Sequence, residues 1–453
     1  MRKRFVLACI CLSILLACEA PKQQEPNFIF IMADDLGYGD LGSYGQKIIQ
    51  TPELDQLAAE GMHFTQFYAG SPVCAPSRSV LMTGQHTGHT RVRGNFGVGG
   101  VKGLGGGEGR VPLKAEDKTI ATYFQEAGYK TGMIGKWGLG EPKTSGEPGK
   151  KGFEEFFGFL NQRRAHNYYS PYLWQNEEKY LIEENQDGKK EIYAHDLFTE
   201  KALDFLDRNR DRSFFLYLPY TLPHDKYEIP DLGIYQDSLH WGKDAQVHAA
   251  MVGRLDADIG RIMRRLRKHG LDKNTWVFFC SDNGAARRWE GIFDSSGKLR
   301  GRKRDLYEGG IRSPLIVWQP NFVPAGTKNE LPLHFMDILP SLCSIAKIPI
   351  NSPVDGLDRS SGFQNPAWRD ERDEDRVLYW EFYERGFQQA IRYKDLKGIK
   401  LSPEAEWELY NLSDDPGEKL NLASEERKES IELMENLARK HHRPSPHYPK
   451  EEK

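Results

Sequence analysis

Three unbroken apolar runs stand out along the chain, at 27–32 (NFIFIM), 214–218 and 275–280, and 129–134 reads the same way. Each has strand length and lacks the apolar–polar alternation of a half-wet sheet. They therefore predict strands buried on both faces, as in parallel sheets. Between them the period changes. Val247, Met251, Leu255, Ile259, Ile262 and Leu266 fall on one helical face, and 119–127 and 195–207 also read as helices. At 51–61 Thr51 stands as cap, Pro52 in first position and Gly61 as stop. Helices interleaved with buried strands predict an α/β fold, a large mostly parallel sheet flanked by helices. Around 365–375 (NPAWRDERDED) the chain turns polar. Beyond it come strand-like runs at 377–382 and 388–392, then a helix from about 423 to 440. This predicts a small C-terminal α+β domain, an antiparallel sheet plus a helix, over 371–453. The large domain covers 23–370, and no internal repeat is present.

Residues 1–22 read as an export signal and linker. Arg2, Lys3 and Arg4 precede an apolar stretch, 5–17, too short to span a bilayer. It ends in Leu15-Leu16-Ala17-Cys18, which resembles a bacterial lipobox with Cys18 as the lipidated residue; an ordinary secretory signal is the alternative. Either way the mature protein is expected outside the cytoplasm, as a periplasmic or outer-membrane lipoprotein of a bacterium with the lipid as its sole membrane contact. Lys+Arg total 62 against 65 Asp+Glu, a balance that argues against a nucleic-acid partner. A mean hydropathy of −0.64 excludes a multi-pass membrane protein. Beyond the signal only Cys74, Cys280 and Cys343 remain, an odd count that points to a free or modified thiol.

Two predicted strands run into acidic pairs, Asp34-Asp35 and Asp282-Asn283. In open α/β sheets, ligands sit beyond the carboxyl ends of strands. Three carboxylates and an amide form an all-oxygen set suited to Ca²⁺, or Mg²⁺ in its place, rather than zinc. Turn chemistry is the competing reading of both pairs. Cys74-Ala75-Pro76-Ser77-Arg78 opens a predicted helix ending at Thr83-Gly84. A helix N-terminus favours anions, and four-residue spacing puts Arg78 on the face of Cys74. The competing reading is an inert buried thiol. The glycine-rich stretch 97–109 is polar, a loop beside the site rather than a phosphate cradle, and 141–152 is a second loop.

The segment Cys74-x-Pro-Ser-Arg78-x-x-x-Met82-Thr83-Gly84 resembles the signature of the type I sulfatases, of the alkaline phosphatase superfamily. The resemblance extends over nearly the whole chain after the signal. Asp34-Asp35-Leu36-Gly37 and Ser281-Asp282-Asn283-Gly284 match the two metal motifs. Gly135-Lys136-Trp137 matches the Gly-Lys-Trp-His block, and Pro223-His224 the substrate-side histidine. Lys303, ahead of Tyr307-Glu308-Gly309-Gly310, aligns with the sulfate-binding lysine. Leu409-Tyr410-Asn411-Leu412 with Asp415-Pro416 resembles the C-terminal segment. The resemblance implies an alkaline phosphatase-like fold and sulfate-ester hydrolysis in the 23–370 domain. It implies that a maturase converts Cys74 to Cα-formylglycine, whose hydrate attacks sulfur. Asp34, Asp35, Asp282, Asn283 and residue 74 would bind the cation. Arg78 and Lys136 would steady the hydrate, Lys303 hold the sulfate, and His224 serve the leaving oxygen.

One position departs. Gly138 stands where the family commonly has His, and His166 is a candidate to stand in for it. Arg93 and Asn95, with Arg91, follow the signature helix and are candidates to line the substrate pocket. His166-Asn167-Tyr168-Tyr169, Trp174 and Trp289 offer aromatic and polar groups for a sugar ring. The expected substrate is a sulfated carbohydrate of galactose or N-acetylgalactosamine type. Two rival readings stand beside it: a phosphonate or phosphate ester hydrolase of the same superfamily, and an inactive surface glycan-binding protein.

Overall fold

The computed structural model describes residues 25–450, apart from 290, 425 and 426. The signal and Cys18 lie outside the described residues. Eleven strands form the main sheet: Asn27–Ala33 (β1), Met62–Tyr68 (β2), Lys130–Lys136 (β3), Glu155–Phe159 (β4), Tyr172–Gln175 (β5), Glu178–Leu181 (β6), Phe214–Pro219 (β7), Thr275–Ser281 (β8), Arg312–Trp318 (β9), Thr327–Asn329 (β10) and Leu333–His334 (β11). Their order is β10-β2-β9-β8-β1-β7-β3-β4-β5-β6, with β11 beside β2. The central run β8-β1-β7-β3-β4 is parallel throughout, while β9 pairs antiparallel with both β8 and β2.

The apolar runs behave as their composition requires. Along β1, Phe28, Phe30 and Met32 enter one core cluster, while Ile29, Ile31 and Ala33 enter the cluster on the opposite face. Both faces are dry because helices cover them; Lys243–Lys268 and Ala194–Arg208 cover the second. Among the described residues, no helix is long and apolar enough to cross a membrane.

Val377–Phe382 (β12), Gln388–Tyr393 (β13), Leu396–Lys400 (β14) and Glu408–Asn411 (β15) form a second, antiparallel sheet. The helix Lys428–His441 packs Met434 and Ala438 against Tyr379, Ile391, Trp407 and Leu409 of this small domain. It starts later than the sequence pattern suggests. Thr51 also differs from expectation: its hydroxyl accepts from the Gly42 amide (2.9 Å) and donates to Asp55 (3.3 Å) instead of capping the helix Pro52–Glu60.

Candidate active site

Neighbouring parallel strands deliver the polar residues at their carboxyl ends. The register of β1 on β8 pairs Ala33 with Ser281, so Asp34-Asp35 and Asp282-Asn283 emerge side by side. The Asp282 amide donates to the Ala33 carbonyl (3.1 Å), and the Asp35 amide donates to Asp282 Oδ1 (3.2 Å). Asp35 itself adopts a left-handed backbone (φ 66°), a conformation tolerated by Asp and typical of over-determined functional turns. From the end of β3, Lys136 Nζ donates to Asp34 Oδ2 at 2.5 Å.

The helix Cys74–Thr83 enters beneath these carboxylates and is buried at every position. Cys74 is its first residue, and its Sγ lies 3.4 Å from Asp34 Oδ1. One turn on, Arg78 donates from Nε and Nη2 to Asp282 Oδ2 (3.1 and 2.9 Å) and from Nη1 to the Lys136 carbonyl (2.7 Å). The predicted Cys74–Arg78 pairing is therefore present, with Arg78 locking two strand ends together below the thiol.

Above Cys74 opens a cavity of about 460 Å³. Lys303 reaches into it. Its Nζ is 2.6 Å from Asp35 Oδ2, 2.9 Å from His224 Nε2 and 3.8 Å from Cys74 Sγ. His224 Nδ1 is 2.5 Å from the Asp225 carbonyl oxygen and 2.6 Å from Asp225 Oδ1, which fixes Nδ1 as the donor and leaves Nε2 facing the cavity. The Tyr168 hydroxyl braces the same turn by donating to the Thr221 and His224 carbonyls. His166 stacks on His224 with ring centroids 3.8 Å apart and lines the cavity.

Charge in this site is concentrated and dry. Burial would raise the Asp34 carboxyl, but Lys136, His224, Arg78 and Lys303 hold it well below the usual range. Burial and the neighbouring Asp34 push Asp282 up to about 6. Burial and Asp34 drive the Cys74 thiol well above its ordinary value, so as a thiol it stays protonated. Burial, His224 and Lys136 push His166 down to about 2, keeping it neutral.

The donor set fits a divalent cation. Asp34, Asp35, Cys74 and His224 each bring one ligand atom within 4.8 Å of the others. Asn283 donates its amide to Asp35 Oδ1 (2.8 Å), and its buried Oδ1 has no protein partner. An orphaned carbonyl oxygen among crowded carboxylates is what a hard cation satisfies. Asp34, Asp35, Asp282 and Asn283 bring oxygens to this point, and a hard cation that takes about six to eight ligands would have room there for residue 74 as well.

Two expected pocket residues are placed elsewhere. Arg93 is buried against Glu381 (3.1 Å) and the Arg443 carbonyl (2.7 Å), so it fixes its loop to the small domain. Trp289 is buried against His248 and Tyr227, with ring centroids 4.4 and 4.8 Å apart. Asn95 does line the cavity, accepting from the Ala75 amide (3.2 Å) and donating to Glu384 (2.6 Å). Arg91 donates to the Pro112 carbonyl at 2.8 Å. At Gly138 (φ 82°), a Cβ would lie 2.0 Å from Gln162 Nε2. The Gln162 side chain thus occupies the space a residue-138 side chain would enter. It is buried, lines the cavity, and has no protein partner at either amide atom. Neither Gln162 nor Asp225 belongs to a sequence motif. Asp225 follows His224 directly, a His-Asp adjacency that could have flagged it; Gln162 leaves no local signal.

The loop carrying Lys303 is held by the small domain. Arg300 donates to Tyr410 (2.8 Å), Arg304 to Glu384 (3.1 Å) and Tyr307 to Glu408 (2.7 Å), while Arg385 donates to Asp305 (2.9 Å). Glu308 pairs with Lys397 (2.9 Å), and its amide donates to Glu418 (2.7 Å).

The family model described as sulfatase matches residues 26–348, and the model for the N-sulphoglucosamine sulphohydrolase C-terminal region matches 301–443. N-acetylgalactosamine-6-sulfatase of Rattus norvegicus is 32% identical over 367 residues, covering 76% of this chain. The match spans 66% of that relative's own length. Arylsulfatase A of Homo sapiens is 31% identical over 467 residues, covering 90% of this chain and 86% of its own. The solved structure of Ps i-CgsB in complex with k-i-k-neocarrahexaose superposes with a TM-score of 0.80 at 28% identity, covering 94% of this chain and 95% of that one. Phosphonate monoester hydrolase of Agrobacterium radiobacter shares the fold (TM-score 0.65, 19% identity, 92% and 96% covered).

Proposed function

The chain belongs to the sulfatase family, and from that premise we propose that it hydrolyses a sulfate ester of a carbohydrate, with residue 74 as formylglycine and Ca²⁺ as the cation. One observation carries the reading: Cys74 opens a buried helix 3.4 Å from Asp34 and 3.8 Å from Lys303, at the floor of a cavity walled by His224. Of the galactose- or N-acetylgalactosamine-type glycans proposed as the substrate class, the N-acetylgalactosamine-6-sulfatase relative supports the second. The exported, lipid-anchored location proposed for Cys18 suits a polymeric substrate; replacing Cys18 by Ala is expected to release the protein from the membrane fraction.

Conversion of Cys74 would supply an aldehyde hydrate with two hydroxyls, one to attack sulfur and one to expel the sulfate afterwards. Bound among Asp34, Asp35, Asp282 and Asn283, a divalent cation supplies charge neutralisation and acidifies an adjacent hydroxyl. The chain's own groups do the rest. Lys303 neutralises sulfate oxygens at the cavity floor. Lys136 and Arg78 hold Asp34 and Asp282 in place beneath residue 74. His224, fixed through Nδ1 by Asp225, presents Nε2 to the leaving oxygen, and in its doubly protonated form it would donate the Nε2 proton there. Lys303, hydrogen-bonded to Asp35 and to that same Nε2, stays a cation and turns toward the sulfate oxygens of the ester.

The test is mass analysis of the peptide containing Cys74, joined to turnover. Active protein is expected to carry the Cys-to-formylglycine mass change. Cys74→Ala is expected to keep the fold and lose turnover of sulfate esters, and sulfate is expected to be cleaved in preference to phosphate and phosphonate esters of the same chromophore. Repeated turnover by protein with an unmodified Cys74 overturns the mechanism.

A further inference from the structure

The cavity above residue 74 holds more positive charge than one sulfate group uses. Arg304 and Arg385 line it, but each is paired with a carboxylate, Glu384 and Asp305 respectively. Arg110 and Arg163 line it too, and among the described residues neither forms an ion pair with a carboxylate. Arg110 is preorganised. Its guanidinium stacks on Phe96 (4.3 Å), its Nη1 donates to the Asn95 carbonyl (2.7 Å), and its buried Nε has no partner. Burial disfavours the charged form of this arginine and the nearby Arg163 charge adds to the penalty, with Glu141 and Glu384 acting the other way. Gln162, next to Arg163 in the chain, adds a buried amide whose nitrogen and oxygen both lack protein partners.

The glycine-rich loop explains how these side chains are held. A Cβ on Gly103 would sit 2.9 Å from Arg110 Cγ, and one on Gly105 would sit 2.9 Å from Arg163 Cδ. The bare backbone of the loop packs against the aliphatic stems of both arginines and aims them at the same cavity. Two guanidinium groups without carboxylate partners, brought together at a structural cost, lower their energy by binding an anion.

We infer that Arg110, Arg163 and Gln162 form a second anion subsite, which binds a charged group of the glycan other than the sulfate being cleaved. The inference rests on the glycan-desulfating reading above and deepens it: the substrate is a polyanionic oligosaccharide, not an isolated monosulfated sugar. A second sulfate and a uronate carboxylate share the required chemistry, planar or trigonal oxygens that accept from guanidinium forks. The subsite also accounts for the unpartnered Gln162 amide, which donates to the anion or accepts from an adjacent hydroxyl.

The experiment uses formylglycine-bearing, Ca²⁺-loaded protein and three oligosaccharides of one backbone: monosulfated, disulfated, and monosulfated with an adjacent uronate. The expected kcat/KM ratio of a doubly charged to the singly charged substrate is at least tenfold, about the contribution of one charge-assisted hydrogen bond. Which doubly charged substrate shows it identifies the anion. Arg163→Ala and Arg110→Ala are each expected to bring the ratio toward one; Arg163 is exposed, so its variant tests the idea even if the Arg110 variant does not fold. Calorimetric affinities of the same oligosaccharides for Ca²⁺-loaded Cys74→Ala protein give the ratio without turnover. Equal affinities and equal kcat/KM values for all three, or a ratio unmoved in Arg163→Ala, overturn the subsite. Failure of every oligosaccharide to be desulfated, with the binding ratio intact, overturns the sulfatase reading instead.

Discussion

Lys303 and Lys397 are both ammonium groups set among carboxylates, Lys397 fully buried and Lys303 partly exposed, and their surroundings differ accordingly. Lys397 is shut in. It pairs with Glu308 (2.9 Å) and Glu418 (2.7 Å), and Glu308 also accepts from Tyr68 (2.8 Å) and Arg312 (3.1 Å). Lys303 touches Asp35 and His224 at the edge of an open cavity that Gln162, with its unpartnered amide, also lines, and Asp35 accepts from Asn283, whose Oδ1 is orphaned. Buried charge alone does not mark a site, because a closed network satisfies itself. Unspent hydrogen-bonding capacity at the edge of a cavity marks one.

The sharpest way to break this comparison is to replace each lysine by an apolar chain of similar length. Lys397→Met removes the ammonium that two buried carboxylates share and is expected to lower stability by about 3–5 kcal/mol, read from the denaturant midpoint. Lys303→Met in Ca²⁺-loaded protein is expected to cost about 10²- to 10³-fold in kcat while moving that midpoint far less. Equal stability losses would erase the distinction between the two clusters.

Gln162→Leu comes next. It keeps the volume beside Gly138 and removes the amide. The kcat/KM for a doubly charged oligosaccharide is expected to fall about tenfold with an unchanged melting temperature; a value within twofold of the parent would show that the amide only fills space.

The smallest effect concerns acid. His334, His86 and His441 pack on Trp380 and Tyr379 of β12, with ring centroids 5.1, 5.2 and 5.8 Å apart. Burial lowers all three, His334 to about 3, with Arg376 acting in the same direction on His334 and Asp337 and Asp355 opposing; His89 acts with burial on His86 and His441, and Asp355 opposes. They are neutral in the fold, whereas the unfolded chain protonates them below about 6.5. Their contribution is therefore complete above pH 6.5 and is lost as pH falls toward the folded values, about 2 kcal/mol for His334 by pH 5. Thermal unfolding at pH 7 and pH 5 measures it, and His334→Phe is expected to flatten the dependence. His86 also approaches His89 and Asp355, yet these three do not form a metal centre: His86 Nδ1 accepts from the Gly88 amide (3.1 Å), so its proton sits on Nε2, the atom a metal would need.

What the sequence makes legible follows from the physics of each element. β1, β7 and β8 are dry on both faces, so their composition declares them. β2 (MHFTQFY) mixes His, Thr and Gln with apolar residues, and β9 opens on Arg312-Ser313-Pro314; neither has a clean period, so both are illegible in the pattern, as is the antiparallel pair they form. In the site, Asp34, Asp35, Cys74, Arg78, Lys136, His224, Lys303, Asp282 and Asn283 come together as their motif positions imply. Trp289 fails as a sugar platform because an aromatic's burial is decided by partners distant in sequence, here His248 and Tyr227. Gln162 was invisible because its role is defined by a side chain missing at Gly138.

The anchoring of the Lys303 loop by residues 384–418 sets an order of events for a chain made from its N-terminus. Asp34, residue 74, Lys136 and His224 can all reach their places while the lysine that must face them is still unmoored. Its mooring points, Glu384, Lys397, Glu408, Tyr410 and Glu418, are among the last groups to be synthesised. The reactive centre is thereby kept unfinished through most of biosynthesis.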